Sequence, residues 1–277
     1  MKDLYEEVPR EVYFAKTTDS IEAKDDGFMD LRPLDPYIVS GGENTEQFYF
    51  KKVSKLTNYH FKVVPEYFGK ESEYTEEFPS RINDIVGQNP DAKIFCVFDL
   101  DTTIDNTANQ IRHEKFEASI QKQIDSGQVI LCPSLPCFEY WLLLHFEDIT
   151  TRMKSNSAVA NYLSKYMKPL FPNSDKLCLS WLRNVWAKRA SRLRIKKYIP
   201  SFLHRFMNRF FCNGKKSFSK MLKSRKYLEK MDWEGLIHSD GNLERAIVFA
   251  KKNYENALAA GTIDNQSYTL VFKAFTL

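Results

Sequence analysis

Asp99 and Asp101 stand one residue apart at the end of an apolar run, Ile94-Phe95-Cys96-Val97-Phe98. Side chains two apart on a strand point the same way. Two carboxylates on one side of a strand end make half of a Mg²⁺ (or Mn²⁺) site, because these ions take oxygen ligands and use one or two protein carboxylates. The plainer alternative is a solubilised strand end, with Asp101 capping the next helix. Glu43 and Glu46 follow a second apolar run, Tyr37-Ile38-Val39-Ser40, across Gly41-Gly42. At a helix start both would interact well with the positive end of the helix dipole, with Thr45 as the cap. In a third stretch, Glu139 and His145 flank the apolar Tyr140-Trp141-Leu142-Leu143-Leu144. Burying Glu139 unpaired there would be costly, so it either reaches the same edge or has a partner. His145 is a site residue or a satisfied core histidine. The acid–base candidates are therefore Glu43, Glu46, Asp99, Asp101, Glu139 and His145.

Three strands are needed to bring these groups together. Residues 36–40 read as a strand, followed by a helix from Thr45 to about Tyr59. Phe61–Pro65 reads as a second strand and Ser72–Gly87 as an amphipathic helix. Ile94–Phe98 has the continuous apolar pattern of a buried parallel strand. A helix over Thr107–Ser126, ended by Gly127, leads to a short strand at Val129–Leu131. Phe138–Phe146 is too apolar all round for a surface helix and belongs in the core. This alternation predicts an α/β fold, a mostly parallel sheet flanked by helices. Ligands bind such sheets beyond the carboxyl ends of the strands, where all three motifs lie. Residues 1–35 read as an acidic tail, 36–150 as the α/β domain and 151–277 as a helical region. Leu243–Ala260 is its clearest helix.

The chain has 277 residues, 40 Lys or Arg and 36 Asp or Glu. Residues 176–230 hold 17 of the basic residues and one acid, Glu229. The remainder is net acidic, so one segment carries a field that attracts polyanions, nucleic acid first. Within it, Arg183, Lys188, Arg189, Arg192, Arg194, Lys196, Lys197, Arg205 and Arg209 interleave with Trp, Phe and Leu, as in nucleic-acid binders. An anionic membrane surface, a protein partner and a solvated helical hairpin fit the same composition. Apolar runs fall far short of the ~20 residues that span a bilayer, so no stable membrane insertion is expected. Five irregularly spaced cysteines read as reduced thiols, and no secretory signal is visible. Both point to a cytoplasmic protein.

Taken together, Gly41-Gly42-Glu43-Asn44-Thr45-Glu46, Phe98-Asp99-Leu100-Asp101 and Ser134-Leu135-Pro136-Cys137-Phe138-Glu139-Tyr140-Trp141-Leu142-Leu143-Leu144-His145-Phe146 resemble the RloB family, also described as AbiLii-like. The likeness is strong over residues 36–150 and weaker near Leu243–Ala250 and Asn265–Phe272. It implies a TOPRIM-like (Rossmann-like) domain. It further implies Mg²⁺ (or Mn²⁺) held for phosphodiester chemistry, and a role in anti-phage defence beside an ABC-type ATPase. On that reading Asp99 and Asp101 hold the metal and Glu139 supports the rim. The substrate would be nucleic acid: tRNA, other RNA or DNA. The family's first glutamate falls at Gly41 here, so Glu43 or Glu46 would have to replace it, Glu43 as a metal ligand. The glycines would permit an unusual backbone path. Otherwise the chain is a degenerate, nucleic-acid-sensing subunit. Leu135 stands where the family has Asn.

A second resemblance competes. Val97-Phe98-Asp99-Leu100-Asp101-Thr102-Thr103-Ile104-Asp105 is similar to the first motif of haloacid-dehalogenase-type phosphatases. There Asp99 would be the phosphoryl-accepting nucleophile and Asp101 the acid/base. That chemistry needs a later acidic pair on another strand, and Glu147-Asp148 is the candidate.

Overall fold

The computed structural model describes residues 35–41, 44–64, 74–104, 106–171 and 218–276. The chain divides into two compact units, Met1–Asp35 and Pro36–Leu277. Nearly all of the first unit lies outside the described residues.

The second unit is built on a five-stranded sheet in the order β2-β1-β3-β4-β5. Strand β1 is Tyr37–Ser40, β2 Lys62–Val64, β3 Ile94–Asp99 and β4 Val129–Leu135. These four run parallel. Strand β5, Tyr268–Thr269, pairs antiparallel with the end of β4. Helix α1 (Thr45–Leu56) joins β1 to β2, and α2 (Tyr74–Gln88) joins β2 to β3. The short α3 (Asp101–Ile104), α4 (Thr107–Ser119) and α5 (Gln121–Asp125) lie between β3 and β4. Beyond β4 come α6 (Glu139–Leu144), α7 (Asn156–Met167), α8 (Phe218–Leu222), α9 (Arg225–Leu228) and α10 (Leu243–Ala259). This is an α/β architecture of the Rossmann-like kind.

Strand alternation sorts the core onto the two faces of the sheet. Ile38, Phe95 and Val97 face one apolar cluster with α1, α6, α7 and α10. Val39, Ile94, Cys96 and Phe98 face the other, against Phe78 and Ile82 of α2 and Phe116 of α4. Strand β3 is thus covered on both sides, which explains its unbroken apolar sequence. Trp141 of α6 is fully buried, and its rings stack on Phe275 at 5.6 Å. Truncating such a residue to Ala costs about 3–5 kcal/mol. Residues beyond 150 join the same core: Leu163, Leu236, Ala246 and Phe272 pack with Phe50 and Trp141.

Several expected boundaries shift. Helix α1 stops at Leu56, where the Thr57 backbone turns extended while its N–H and hydroxyl both donate to the Val53 carbonyl. The helix expected over Thr107–Ser126 breaks at Ile120, which is fully buried beneath the sheet. Asn106 caps α4 by accepting from Ala108 and Asn109 N–H. Strand β4 runs past Leu131, through Pro133, to Leu135. Proline argues against a central strand, but here β5 pairs only with Ser134 and Leu135. Thr45 is not a helix cap. It is the first residue of α1, and its hydroxyl donates to the Leu222 carbonyl at 2.9 Å. Its neighbour Asn44 donates to the Lys223 carbonyl at 3.0 Å.

Candidate functional site at the carboxyl edge of the sheet

The order β2-β1-β3 means that the chain leaves β1 in one direction for β2 and later returns to its other side. Clefts for ligands open at such switch points, beyond the strands' carboxyl ends. Gly41 follows β1 there, and Asp99 ends β3. Gly41 continues the strand, donating to the Val97 carbonyl at 3.3 Å. Its φ is not in the left-handed region, which among the described glycines holds only Gly127 and Gly261. The unusual backbone path expected from the glycine pair is therefore absent at Gly41; Gly42 and Glu43 lie outside the described residues. A Cβ at position 41 would meet Tyr74 and Phe78 at 3.5–3.9 Å, ordinary contact distances.

Asp99 is half-buried, and its Oδ1 accepts the Phe138 N–H at 2.8 Å. Burial is the largest cause holding its carboxyl well above the usual range. The charges of Glu46, Glu139 and Asp101 add to that effect, and the Phe138 N–H works against it. The sheet edge therefore collects four of the acidic candidates, from β3, α1, α6 and α3. Glu46 and Glu139 act on Asp99 more strongly than Asp101 does. The reason is that β3 stops at Asp99. Leu100 leaves the strand, and Asp101 opens α3, so the two aspartates do not share one strand face as expected. The edge is stitched to the chain beyond β4 by Leu100 N–H to Ser134 O at 3.0 Å and Asp101 N–H to Pro136 O at 3.2 Å. Burial also pushes the nearby Cys137 thiol up, assisted by Glu139 and Asp99. It is an inert core thiol, as are the buried, free Cys96 and Cys132.

Sequence reasoning missed Asn156, at the start of α7. Its Nδ2 donates to Asp101 Oδ2. Nothing local to Ser155-Asn156-Ser157 signals this contact; the stretch reads as a helix start. Tyr74 of α2 was also missed. Its hydroxyl meets Thr103 Oγ1 and His113 Nδ1, both at 3.1 Å. The turn carrying Asp101 is thereby held from both sides.

His145 is fully buried, away from water. Its ring nitrogens meet the Tyr49 hydroxyl at 3.0 Å and the Trp141 carbonyl at 3.1 Å. Burial lowers its pKa to about 3, so it is neutral. The structure thus gives it the place of a satisfied core histidine. The nine basic candidates from Arg183 to Arg209 lie outside the described residues, as does Glu43. Glu147 accepts from the hydroxyls of Tyr162 and Tyr166, and Asp148 accepts from Lys252 and Asn253. Both follow α6 rather than a strand, so they do not form the strand-borne acidic pair that a haloacid-dehalogenase mechanism needs.

The family model described as RloB-like protein matches residues 37–274, nearly the whole second unit. The chain belongs to the RloB-like family. The match runs across the described sheet and the α7–α10 region alike, so the RloB-like unit includes Asn156 as well as the three motifs. No curated protein and no solved structure matches the chain. Among the described residues of this RloB-like protein, no three His, Cys, Asp or Glu side chains group closely enough to hold a metal ion. Also among them, no helix is long and apolar enough to cross a membrane.

The donor set still fits a hard divalent cation. Mg²⁺ keeps several waters and asks for only one or two carboxylates. Asp99 with Asp101, Glu46 or Glu139 offers these, and a cation would offset the neighbouring charges that add to burial in raising Asp99.

Proposed function

We propose that this RloB-like protein is a Mg²⁺- or Mn²⁺-dependent nuclease of the TOPRIM type, acting on RNA or DNA in anti-phage defence with an ABC-type ATPase. One observation carries the chemistry: Asp99 sits half-buried among Glu46, Glu139 and Asp101 at the switch point, with its carboxyl raised by burial and by their charges. A carboxyl raised by burial and by neighbouring carboxylates in that position supports a cation-binding role. A divalent ion held there by Asp99 and Asp101 would supply Lewis-acid stabilisation of charge on a phosphoryl group.

The chain's own residues have separable tasks. Asp99 is aimed by the Phe138 N–H and, with Asp101, would hold the ion. Glu43 or Glu46 would stand in for the family's glutamate, as ligand or proton acceptor. Glu139, at the start of α6, would support the rim. The basic residues from Arg183 to Arg209 would draw phosphates toward the site by charge.

The test is cleavage of labelled tRNA, single-stranded RNA and DNA under Mg²⁺ and Mn²⁺ titration, with and without the partner ATPase. Metal-dependent cleavage that is lost in Asp99→Asn/Asp101→Asn supports the reading. Asn is preferred to Ala at position 99 because it keeps an acceptor for Phe138. A second reading, a nucleic-acid-sensing subunit without catalysis, is favoured by Gly41 itself. Binding of these nucleic acids without cutting, in wild type and double variant alike, would select it.

A further inference from the structure

We infer that Asn156 is a positioning residue for the cation site. It fixes Asp101 through its amide nitrogen and turns its amide oxygen toward the ion. This rests on the metal-dependent reading above. An ionised carboxylate only accepts hydrogen bonds, so Asn156 must present Nδ2 to Asp101 and aim Oδ1 elsewhere. The contact joins Nδ2 to Asp101 Oδ2. Asn156 Oδ1 is buried and has no hydrogen-bond partner among the described residues. Buried side-chain oxygens are seldom left so. Covalent geometry places this oxygen roughly 2.2 Å from its own nitrogen, beside the Asp101 carboxylate.

The carboxylates alone do not close a three-ligand group among the described residues. A neutral amide oxygen supplies a further hard ligand without more negative charge beside Asp99. Amide carbonyls are ordinary ligands for hard cations. The backbone supports this placement independently. Ser155 caps α7 by accepting the Ala158 N–H at 3.2 Å, so Asn156 is not needed as the cap. Its side chain is free to serve Asp101, 55 residues earlier.

The experiment is Mn²⁺ calorimetry and Mn²⁺-dependent thermal unfolding on the full chain. It compares wild type, Asp99→Asn, Asn156→Ala and Asn156→Asp, with folding checked by circular dichroism. Asn156→Ala should weaken Mn²⁺ binding roughly 10- to 100-fold, the range for residues that orient ligands. Asn156→Asp should unfold at a lower temperature without metal, since it faces Asp101 with like charge. With Mn²⁺ it should gain more in unfolding temperature than wild type does. If Mn²⁺ stabilises Asn156→Asp no more than wild type, the inference is overturned, even if Asn156→Ala fails to fold. Binding lost in Asp99→Asn but intact in Asn156→Ala overturns it while leaving the metal-dependent reading standing. No Mn²⁺ binding by wild type overturns both.

Discussion

The Phe138 N–H and the Asp99 carboxylate meet at 2.8 Å, so one side chain both ends β3 and anchors the start of α6. Asp99 therefore has a structural task besides its proposed chemical one, and two substitutions separate them. Asp99→Ala leaves a buried donor unpaired and should cost about 1–3 kcal/mol in urea unfolding. Asp99→Asn keeps an acceptor and stays neutral among Glu46, Glu139 and Asp101 at every pH. It should be at least as stable as wild type, yet abolish metal-dependent cleavage.

The raised Asp99 carboxyl also sets a pH dependence. Native protein retains a proton that the unfolded chain releases near its ordinary value of about 4. The stability from this group is complete below that value and declines as pH rises toward the native pKa. Asp99→Asn should flatten this part of the stability–pH curve, and so should saturating Mn²⁺ in wild type. Urea midpoints at a series of pH values check both.

His145 gives the opposite slope. Its native pKa of about 3 lies below the unfolded value of 6.5. The unfolded chain takes up a proton in that window and the native core does not. Stability from His145 is complete above the unfolded value and falls by up to about 1.4 kcal/mol per pH unit as pH drops through the window. His145→Gln should be less stable at neutral pH and lack this component. Comparing the two curves between pH 7 and 5 isolates it.

Position 41 has room for a Cβ and no left-handed φ. Gly41→Glu should fold and bind Mn²⁺ roughly tenfold more tightly, a gain of about 1.4 kcal/mol. If cleavage also rises, the proposed site lacks only that carboxylate. Calorimetry and the cleavage assay read the two effects separately.

Neutralising Arg192, Arg194, Lys196 and Lys197 together should weaken RNA and DNA binding across sequences. The slope of log K against log salt should become shallower by roughly 0.7–0.9 for each phosphate contact removed. Fluorescence titrations between low and physiological salt measure it. An unchanged slope would assign these charges to another partner.

The parallel sheet was legible because its strands carry their own signatures. β3 is continuously apolar, β1 is bounded by Pro36 and Gly41, and amphipathic helices separate them. Strand β5 was not, since Tyr268–Thr269 is too short to show a period. It is a strand only because β4 offers it Ser134 and Leu135. At the site, the approach of Glu46 and Glu139 to Asp99 followed from all three motifs ending at one sheet edge. Asn156 was invisible because its meaning lies in a residue 55 positions away. Thr45 was misread for a similar reason: its spacing fits a cap, but a carbonyl from the far end of the chain takes its hydroxyl.

That last pairing governs when the edge of the sheet can be completed during synthesis. Thr45 finds its acceptor 177 residues downstream and Asn44 finds its own 179 downstream. A nascent chain that has made β1, β3 and all four acidic side chains still lacks the carbonyls that hold the start of α1. Contacts of such long sequence separation form late and slowly. A ribosome stalled before Lys223 would hold a polypeptide with the acidic residues already made but the turn beside them untethered. The start of α1, which carries Glu46, thus gains its last tethers only after Leu222 and Lys223 have been made.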